Sequence, residues 1–275
     1  MGNKILYVNG SWVDETEAMI PFNDAGFLYG DGLFETIRFQ NGNLFRPESH
    51  LARLRSGLQI LELDIPLPDA EIISLLKTSI QKNNFVSGLL RLIITRGIID
   101  KGVPWNHDGP CCMYMTIREL SSLPESPVKI VFLEESSYPL IRFKPAIKSV
   151  NYLGNMLAKK DAEKEGAYEP VFINSDGFIT EGAIRNIFFI NNNELLTPGV
   201  GLGVLPGIMR GSIMEIACKA GIQCREEKIC LKDVNDMDEA FISSTGIGIL
   251  PCFWDGWEST YRLTMELKTR LEKKI

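Results

Sequence analysis

The 275-residue chain has little of what a metal or redox site requires. It contains two histidines, and its six cysteines, at positions 111, 112, 218, 224, 230 and 252, form no Cys-x-x-Cys pair. This spacing predicts neither a zinc site nor a disulfide framework. We therefore expect no bound metal, and we expect free thiols in a reducing compartment.

The chain also lacks long apolar runs and runs of basic residues. Its formal net charge is -6 and its pI is about 5.2, so nothing in the composition attracts nucleic acid. Residues 1–15 hold one lysine and a short apolar stretch broken by Asn and Gly, which is typical of neither a signal peptide nor a membrane span. We expect a cytoplasmic protein with no nucleic-acid or membrane partner.

What is present is the composition of a globular protein, with 45% hydrophobic and 23% charged residues. A chain of this length can form one large core or two moderate ones, and two domains is the natural expectation. Residues 5–13 and 33–46 alternate apolar and polar side chains, and Asn41-Gly42 lies between the two halves of the second segment. This pattern predicts an antiparallel sheet with a hairpin turn at Asn41-Gly42.

Helices and further strands follow along the chain. Pro47 opens a segment with leucines at positions 51, 54, 58 and 61, and Pro68-Asp69 opens a second segment through Ile80; both predict helices. Strands are predicted at 89–95, 111–117, 128–133, 170–174 and 187–190, and helices at 152–165, 208–220 and 258–274. The linker is expected at 121–127, between an N-terminal α+β domain (1–120) and a C-terminal domain (128–275). The fold class is α+β, with the site expected in the cleft between the domains.

Three places in the C-terminal half could carry chemistry. Lys148, in PAIKSVNYLG, has few charged neighbours, so partial desolvation would favour its neutral, nucleophilic amine. Glu181, in GFITEGAIRN, could be a buried carboxylate at a sheet edge, and the helix start at 205–210 could bind a phosphate. Taken one at a time, the same residues are also explained by a surface lysine, which the isolated context of Lys148 favours, a loop glutamate and a plain helix start.

The acidic residues and histidines offer a weaker alternative. Asp24, Asp31 and Glu35 could form the paired carboxylates of a hydrolase, but Asp31 lies between two glycines and Asp24 precedes Ala-Gly, which is typical of turns. His50 and His107 lie near no serine or cysteine motif of a catalytic triad. We expect structural or exposed roles for both histidines.

An ordered set of motifs is more specific than any single candidate. The blocks are NDAGFLYGDGLFETIRFQNGNLF, SHLARL, IKSVNYLGNMLAKKDA, SDGFITEGAIRNIF, TPGVGLGVLPGIMR and EAFISST. With them the chain resembles the class IV aminotransferases, which are fold-type IV enzymes of pyridoxal 5′-phosphate (PLP). The resemblance implies a smaller N-terminal α/β sandwich domain, a larger C-terminal β-barrel-like domain with helices, and a homodimer.

The resemblance also implies roles for individual residues. Lys148 would be the catalytic lysine that forms a Schiff base with PLP. Glu181 would face the pyridine nitrogen, Arg53 would bind the phosphate, and Tyr152 would bind the phenolic oxygen. The rest of the phosphate site would consist of Gly207, Ile208, Met209 and Thr245. Met209 stands where relatives usually have threonine, so one hydroxyl contact is expected to be missing.

The type of reaction is less sharply indicated. Phe34 stands where well-known D-amino-acid transaminases have tyrosine, and Glu35-Thr36 departs from the FEG motif of branched-chain enzymes. Thr36, Lys101 and the Gly-Ile-Met-Arg helix start look like 4-amino-4-deoxychorismate lyases. The sequence therefore favours a lyase that releases pyruvate and p-aminobenzoate for folate synthesis. The alternative is an amino-acid transaminase that passes the amino group to a 2-oxo acid.

Both hypotheses imply a small-molecule substrate, an amino acid or aminodeoxychorismate. A substrate carboxylate would need a cation, and Arg38, Arg96 or Lys101 could supply it. The expected substrate-binding residues are Tyr29, Phe34, Thr36, Arg38, Arg96, Lys101, Gly246 and Ile247.

Overall fold

The computed structural model describes residues 3–99, 109–124 and 127–275. The chain divides into two compact units. Unit 1 consists of Met1–Ser121 and Ile147–Asn151, and unit 2 of Ser122–Ala146 and Tyr152–Ile275. The domain limits expected from the sequence stay a prediction; by its contacts, the short segment 147–151 is part of unit 1.

Unit 1 is an antiparallel sheet packed against two helices. Its strands are β1 (Ile5–Val8), β2 (Ser11–Asp14), β3 (Gly32–Gln40), β4 (Asn43–Leu44), β5 (Ser87–Thr95) and β6 (Cys112–Arg118), and its helices are α1 (Ala25–Tyr29), α2 (Pro47–Ile60) and α3 (Asp69–Asn83). The strand order is β2-β1-β6-β5-β3-β4, with antiparallel neighbours throughout.

The local signals of unit 1 act as expected. Asn41 and Gly42 have positive φ angles of 51° and 78°, and they join β3 to β4 in a two-residue turn, so the predicted hairpin is confirmed. The spaced leucines of α2 are buried against every second residue of β3. This core buries Leu33, Ile37 and Phe39 of β3 with Leu51, Leu54 and Leu58 of α2 and Ile72 and Leu76 of α3.

Unit 2 contains a mixed sheet that curls into a half-barrel. Its strands are β7 (Val128–Glu134), β8 (Glu169–Ile173), β9 (Ile179–Gly182), β10 (Asn186–Asn191), β11 (Glu194–Pro198), β12 (Cys224–Glu227), β13 (Glu239–Ser244) and β14 (Gly248–Phe253), and its helices are α4 (Leu153–Lys164), α5 (Ile208–Lys219) and α6 (Arg262–Glu272). The order is β12-β11-β10-β13-β14-β7-β8-β9.

The connections of unit 2 are of two kinds. The parallel pair β7-β8 is joined through α4, and the parallel pair β11-β12 through α5, whereas β10-β13-β14 is antiparallel. Phe188 and Phe241 are cross-strand partners whose rings stack at 4.8 Å. Glu239, buried at the start of β13, accepts hydrogen bonds from the backbone N–H groups of Leu263 and Thr264 and so caps α6.

The structure corrects the sequence reading of several elements. The N-terminal segment 5–13 is two strands, of which β2 lies at the sheet edge and β1 inside it. Strands β9, β11, β12 and β14 were not predicted, because they are four to six residues long and lack clear alternation. The last helix begins at Arg262, four residues later than expected.

Candidate functional site

Lys148 is fixed by backbone pairing with β3. The N–H of Phe34 donates to the carbonyl of Lys148 at 2.9 Å, and the N–H of Val150 donates to the carbonyl of Gly32 at 3.0 Å. The Lys148 Nζ atom lies 4.6 Å from the centroid of the Phe34 ring. The lysine therefore sits on an aromatic surface at a set register of the unit 1 sheet.

A second contact locks the same segment to the end of α1. The Asn151 side chain donates from Nδ2 to the carbonyl of Gly30 at 2.8 Å. Gly30 has φ 68°, and a side chain there would collide with Asn151, so only glycine suits both demands. Tyr29, the preceding residue, is 57% exposed at the end of α1.

The face of the sheet opposite α2 carries the predicted substrate residues of β3. Phe34, Thr36 and Arg38 share that face because side chains alternate along a strand. Thr36 pairs with Arg91 on β5, and the Arg91 guanidinium lies 4.5 Å from the Phe34 ring centroid. Sequence reasoning missed Arg91, although a lone arginine inside the apolar run LLRLII was a usable signal.

The other two predicted cations differ in their settings. Arg96 donates from Nε to Asp31 at 2.6 Å and from Nη2 to the carbonyl of Leu61 at 2.9 Å. It braces the loop after β5 and is thereby engaged within unit 1. Lys101 lies outside the described residues.

Arg53 belongs to a buried charged cluster that spans α2 and β3. Its Nε donates to Glu35 Oε1 at 2.8 Å and its Nη2 donates to Glu35 Oε2 at 2.6 Å, so the pair is bidentate. His50 Nδ1 lies 2.7 Å from Glu35 Oε2. Glu35 and His50 are 1% and 0% exposed, respectively, so of the two roles expected for His50, structural or exposed, the structural one applies.

The charges of this cluster follow from its surroundings. Burial by itself raises the pKa of Glu35, but the Arg53 charge and hydrogen bonds from His50 and Arg53 outweigh it and lower the pKa from 4.5 to about 2. Burial lowers the pKa of His50, against the opposing effect of Glu35, and the charges of Arg53 and Lys148 lower it further. Glu35 is ionised and His50 is neutral at pH 7.

In unit 2, Glu181 sits among hydrogen-bond donors. Its Oε1 accepts from Arg142 Nη1 at 2.7 Å, and its Oε2 accepts from Asn186 Nδ2 and the Leu205 N–H, both at 3.2 Å. Arg142 also binds Glu135 at 2.7 Å. These donors orient the carboxylate at the end of β9 and stabilise its negative charge. The sequence did not indicate Arg142, because no local pattern links it to Glu181, which lies 39 positions later.

The start of α5 has the form of an anion site. Gly207 occupies the N-cap position, and as a glycine it has no side chain of its own to cap the helix. A Cβ atom at Gly207 would collide with the Asn186 side chain that also binds Glu181. Met209 is 2% exposed, so its side chain cannot contact a ligand. The backbone N–H groups of Ile208 and Met209, at the start of the helix, are the groups that could do so.

The remaining predicted residues of unit 2 lie at turns. Tyr152 occupies the position before α4, and Thr245 and Gly246 lie in the turn between β13 and β14, all three half-buried. Ile247 closes that turn with a hydrogen bond to the carbonyl of Ser244 at 3.2 Å, and its side chain is part of the unit 2 core. A substrate could therefore contact the backbone of Ile247 but not its side chain.

The chemistry of these groups fits PLP. A dianionic phosphate binds guanidinium groups and helix-end N–H groups; unit 1 contains a fixed guanidinium in Arg53, and unit 2 contains helix-end N–H groups at the start of α5. A protonated pyridine nitrogen requires an oriented carboxylate such as Glu181, and an aldehyde requires an amine such as Lys148.

Within residues 3–99, 109–124 and 127–275, no three His, Cys, Asp or Glu side chains are grouped to hold a metal ion. In that part of the chain, no helix has the length and apolarity that crossing a bilayer demands.

Comparison with known sequences identifies strong relatives. The family model described as "Amino-transferase class IV" matches residues 32–252. A Methanocaldococcus jannaschii protein provisionally named a branched-chain-amino-acid aminotransferase is 35% identical over 98% of this chain and 94% of its own length. The aminodeoxychorismate lyase of Bacillus subtilis is 32% identical over 90% of this chain and 85% of its own. The D-alanine aminotransferase of Staphylococcus epidermidis is 32% identical over 98% and 97%.

A solved structure agrees with these relatives. The branched-chain aminotransferase of Thermoproteus uzoniensis, solved with norvaline, superposes with a TM-score of 0.90 and 25% identity. The match covers 99% of this chain and 94% of that one. Fold-type IV architecture is therefore confirmed for this chain.

The buried Glu35 predicts how stability depends on pH. Its folded pKa of about 2 lies below its unfolded pKa, so its contribution is present above the unfolded pKa and is lost as the pH falls toward 2. With about 1.4 kcal/mol per pH unit of separation, the loss is on the order of 3 kcal/mol. Urea unfolding between about pH 5 and pH 2 measures it. In Glu35→Gln this pH-dependent loss should shrink, whereas the exposed control Glu119→Gln should keep it; equal slopes for wild type and Glu35→Gln would contradict the assignment.

Proposed function

Because the chain belongs to the class IV aminotransferases, enzymes that depend on PLP, we propose that it transfers the amino group of a small amino acid to a 2-oxo acid. The observation that carries this proposal is the placement of Lys148 and Arg91 on one aromatic ring. The amine lies 4.6 Å and the guanidinium 4.5 Å from the Phe34 centroid. The Lys148 amine, which could act in catalysis, and the Arg91 cation, which could bind a carboxylate, thus lie beside the same ring. This arrangement suits a substrate that bears both an amino group and a carboxylate.

We assign the cofactor contacts as the family resemblance implies. When bound, PLP supplies an aldehyde that takes up the amino group and a ring that withdraws electrons from the reacting carbon. Lys148 would hold it covalently, and Glu181 would accept the N–H of the ring nitrogen. The other binding residues would be Arg53, Tyr152, Gly207, Ile208, Met209 and Thr245, most of them around the phosphate.

The residues of unit 1 would handle the substrate. Lys148 Nζ would take the proton from the α-carbon of the amino donor and, in the second half of the transfer, give a proton to the α-carbon of the new amino acid. Arg38 and Arg91 would hold a substrate carboxylate on the same sheet face, where Thr36 is the cross-strand partner of Arg91 and stands two residues before Arg38. Arg96 is a weaker choice for this role because it braces Asp31.

Aminodeoxychorismate lyase is the second candidate, favoured by the Bacillus subtilis relative and by Thr36. Two of the sequence features behind it carry less weight in the structure. Met209 is buried, so the Gly-Ile-Met-Arg start contributes through its backbone, and Lys101 lies outside the described residues. If the lyase were the function, its product p-aminobenzoate would serve folate synthesis.

We also propose a homodimer, with residues 19–29 of unit 1 as its apolar segment. Met19, Phe22 and Phe27 are 77%, 80% and 61% exposed, and the two phenylalanine rings lie 5.9 Å apart. Monomers rarely expose a continuous apolar patch of this kind. The segment is held in shape by Asp24, which is fully buried and accepts hydrogen bonds from Tyr114 and other groups.

A reducing, cytoplasmic location is our proposal from the thiols. The six cysteines are free. Burial raises the pKa of Cys112 and of Cys252, so both thiols stay protonated and unreactive at neutral pH.

The assignment of Lys148 is tested by its absorption spectrum. Wild-type protein purified with PLP should show a visible band that borohydride removes. Lys148→Ala should lose this borohydride-sensitive bond to the protein, because no other amine can replace it, and Lys160→Ala, at an exposed lysine of α4, should keep it. An unchanged band and unchanged borohydride sensitivity in Lys148→Ala would refute the assignment.

The reaction type is tested with single substrates. We expect L-leucine or D-alanine, added separately, to convert the bound cofactor to its amine form within one turnover, as read by absorbance. Lys148→Ala is the control that should show no conversion. Conversion by neither amino acid, together with release of p-aminobenzoate from aminodeoxychorismate, would reverse the order of the two candidates.

The dimer is tested by molar mass. The double variant Phe22→Asp/Phe27→Asp places two charges in the apolar segment, and we expect light scattering after size exclusion to show mostly monomer where wild type is a dimer. Val86→Asp, at a 70% exposed position elsewhere in unit 1, should remain dimeric. If the double variant keeps the wild-type mass, the apolar segment is not the interface.

A further inference from the structure

Glu35 stands at a core-facing position of β3, where an apolar side chain is expected. It lies on the face of β3 that packs against α2, between Leu33 and Ile37 in the alternation, and it is 1% exposed. An ionised carboxylate costs several kcal/mol to bury, and a well-packed apolar residue often gives equal stability in such a place. The stability of unit 1 alone therefore does not explain why a charge stands there.

The Glu35 carboxylate binds the guanidinium of Arg53. The carboxylate accepts from Nε and Nη2 of the guanidinium at 2.8 and 2.6 Å, which fixes both the position and the plane of the group. A lone arginine has several rotamers of similar energy, and a bidentate partner selects one of them. The edge of the guanidinium formed by its two Nη atoms consequently has a set direction.

His50 completes the arrangement from one turn earlier on α2. Residues 50 and 53 are three apart, so their side chains share a helix face. Since Glu35 is ionised and His50 is neutral, Nδ1 carries the proton and donates to Glu35 at 2.7 Å. Among the residues that the structure describes, the buried Nε2 has no hydrogen-bond partner, so the donation to Glu35 is the contact that orients the ring.

We infer that Glu35 and His50 are positioning residues that hold Arg53 in place for the phosphate of the cofactor. The inference rests on the phosphate role proposed for Arg53. In this arrangement His50 donates to Glu35, Glu35 accepts from Arg53, and Arg53 binds the phosphate. The carboxylate also offsets the charge of Arg53, so the benefit must come from orientation and not from added positive charge.

The test compares PLP with pyridoxal, which has the same ring and aldehyde but no phosphate. Dissociation constants are measured by absorbance titration of the cofactor-depleted chain. Glu35→Gln removes one acceptor and turns an amide N–H toward the guanidinium, so the PLP dissociation constant should rise about tenfold or more, as loss of a charge-assisted contact implies. The pyridoxal dissociation constant should change less than about twofold, because that ligand does not use Arg53.

A pair of variants at His50 provides the conservative rescue. His50→Leu removes the donor and should weaken PLP binding several-fold, whereas His50→Asn keeps an N–H close to the position of Nδ1 and should retain most of the affinity. The matched control is Glu239→Gln, which disturbs a buried carboxylate in unit 2 that caps α6. It should leave the ratio of the two dissociation constants unchanged.

The outcomes separate this inference from the proposed function. If wild type binds PLP no better than pyridoxal, the phosphate site itself is wrong. If wild type prefers PLP and Arg53→Lys loses that preference, but Glu35→Gln and His50→Leu keep it, the positioning role is overturned and the phosphate site stands. Tighter PLP binding by Glu35→Gln would also overturn it, since charge would then outweigh orientation. Should Glu35→Gln fail to fold, the two His50 variants decide the matter.

Discussion

The backbone hydrogen bonds between β3 and residues 148–150 are the constraint on which the candidate site of unit 1 depends. They bring a segment from the middle of the chain beside a strand that lies more than a hundred residues earlier. Once Lys148 is paired with Phe34, the alternation of β3 decides which side chains lie near its amine. The Asn151 contact with Gly30 prevents this segment from sliding along the strand.

In unit 2, the equivalent constraint is a cluster around Asn186. One side chain donates to Glu181 and to the carbonyl of Leu205, and it also fills the space that a side chain at position 207 would need. The carboxylate assigned to the ring nitrogen and the helix start assigned to the phosphate are therefore connected through one amide. A substitution at Asn186 would alter the surroundings of both the Glu181 carboxylate and the start of α5.

Much of the fold could be predicted because its signals are local. The Asn41-Gly42 turn, the proline at the start of α2 and its spaced leucines each act within a few residues. The short strands of unit 2 could not be predicted in this way, because their conformation is set by neighbours in the sheet. The same holds for the site. Motifs suggested Lys148, Arg53 and Glu181. Arg91 is brought beside Phe34 in unit 1 by strand register, and Arg142 is brought to Glu181 in unit 2 by a long-range ion pair. Glu35 was weighed only as a hydrolase carboxylate, since sequence could not show that α2 covers it.

The two faces of β3 have a consequence for how the sequence can change. Phe34 and Arg38 point to one side and Glu35 to the other, and residues 32–34 also pair with the segment that carries Lys148. Inserting or deleting one residue within this strand would reverse the faces of every residue beyond it. The charged partner of Arg53 would then leave the helix side, and the aromatic ring beside Lys148 would enter the core. Divergence within this strand is accordingly confined to substitutions, while changes in length must fall in the turns at either end.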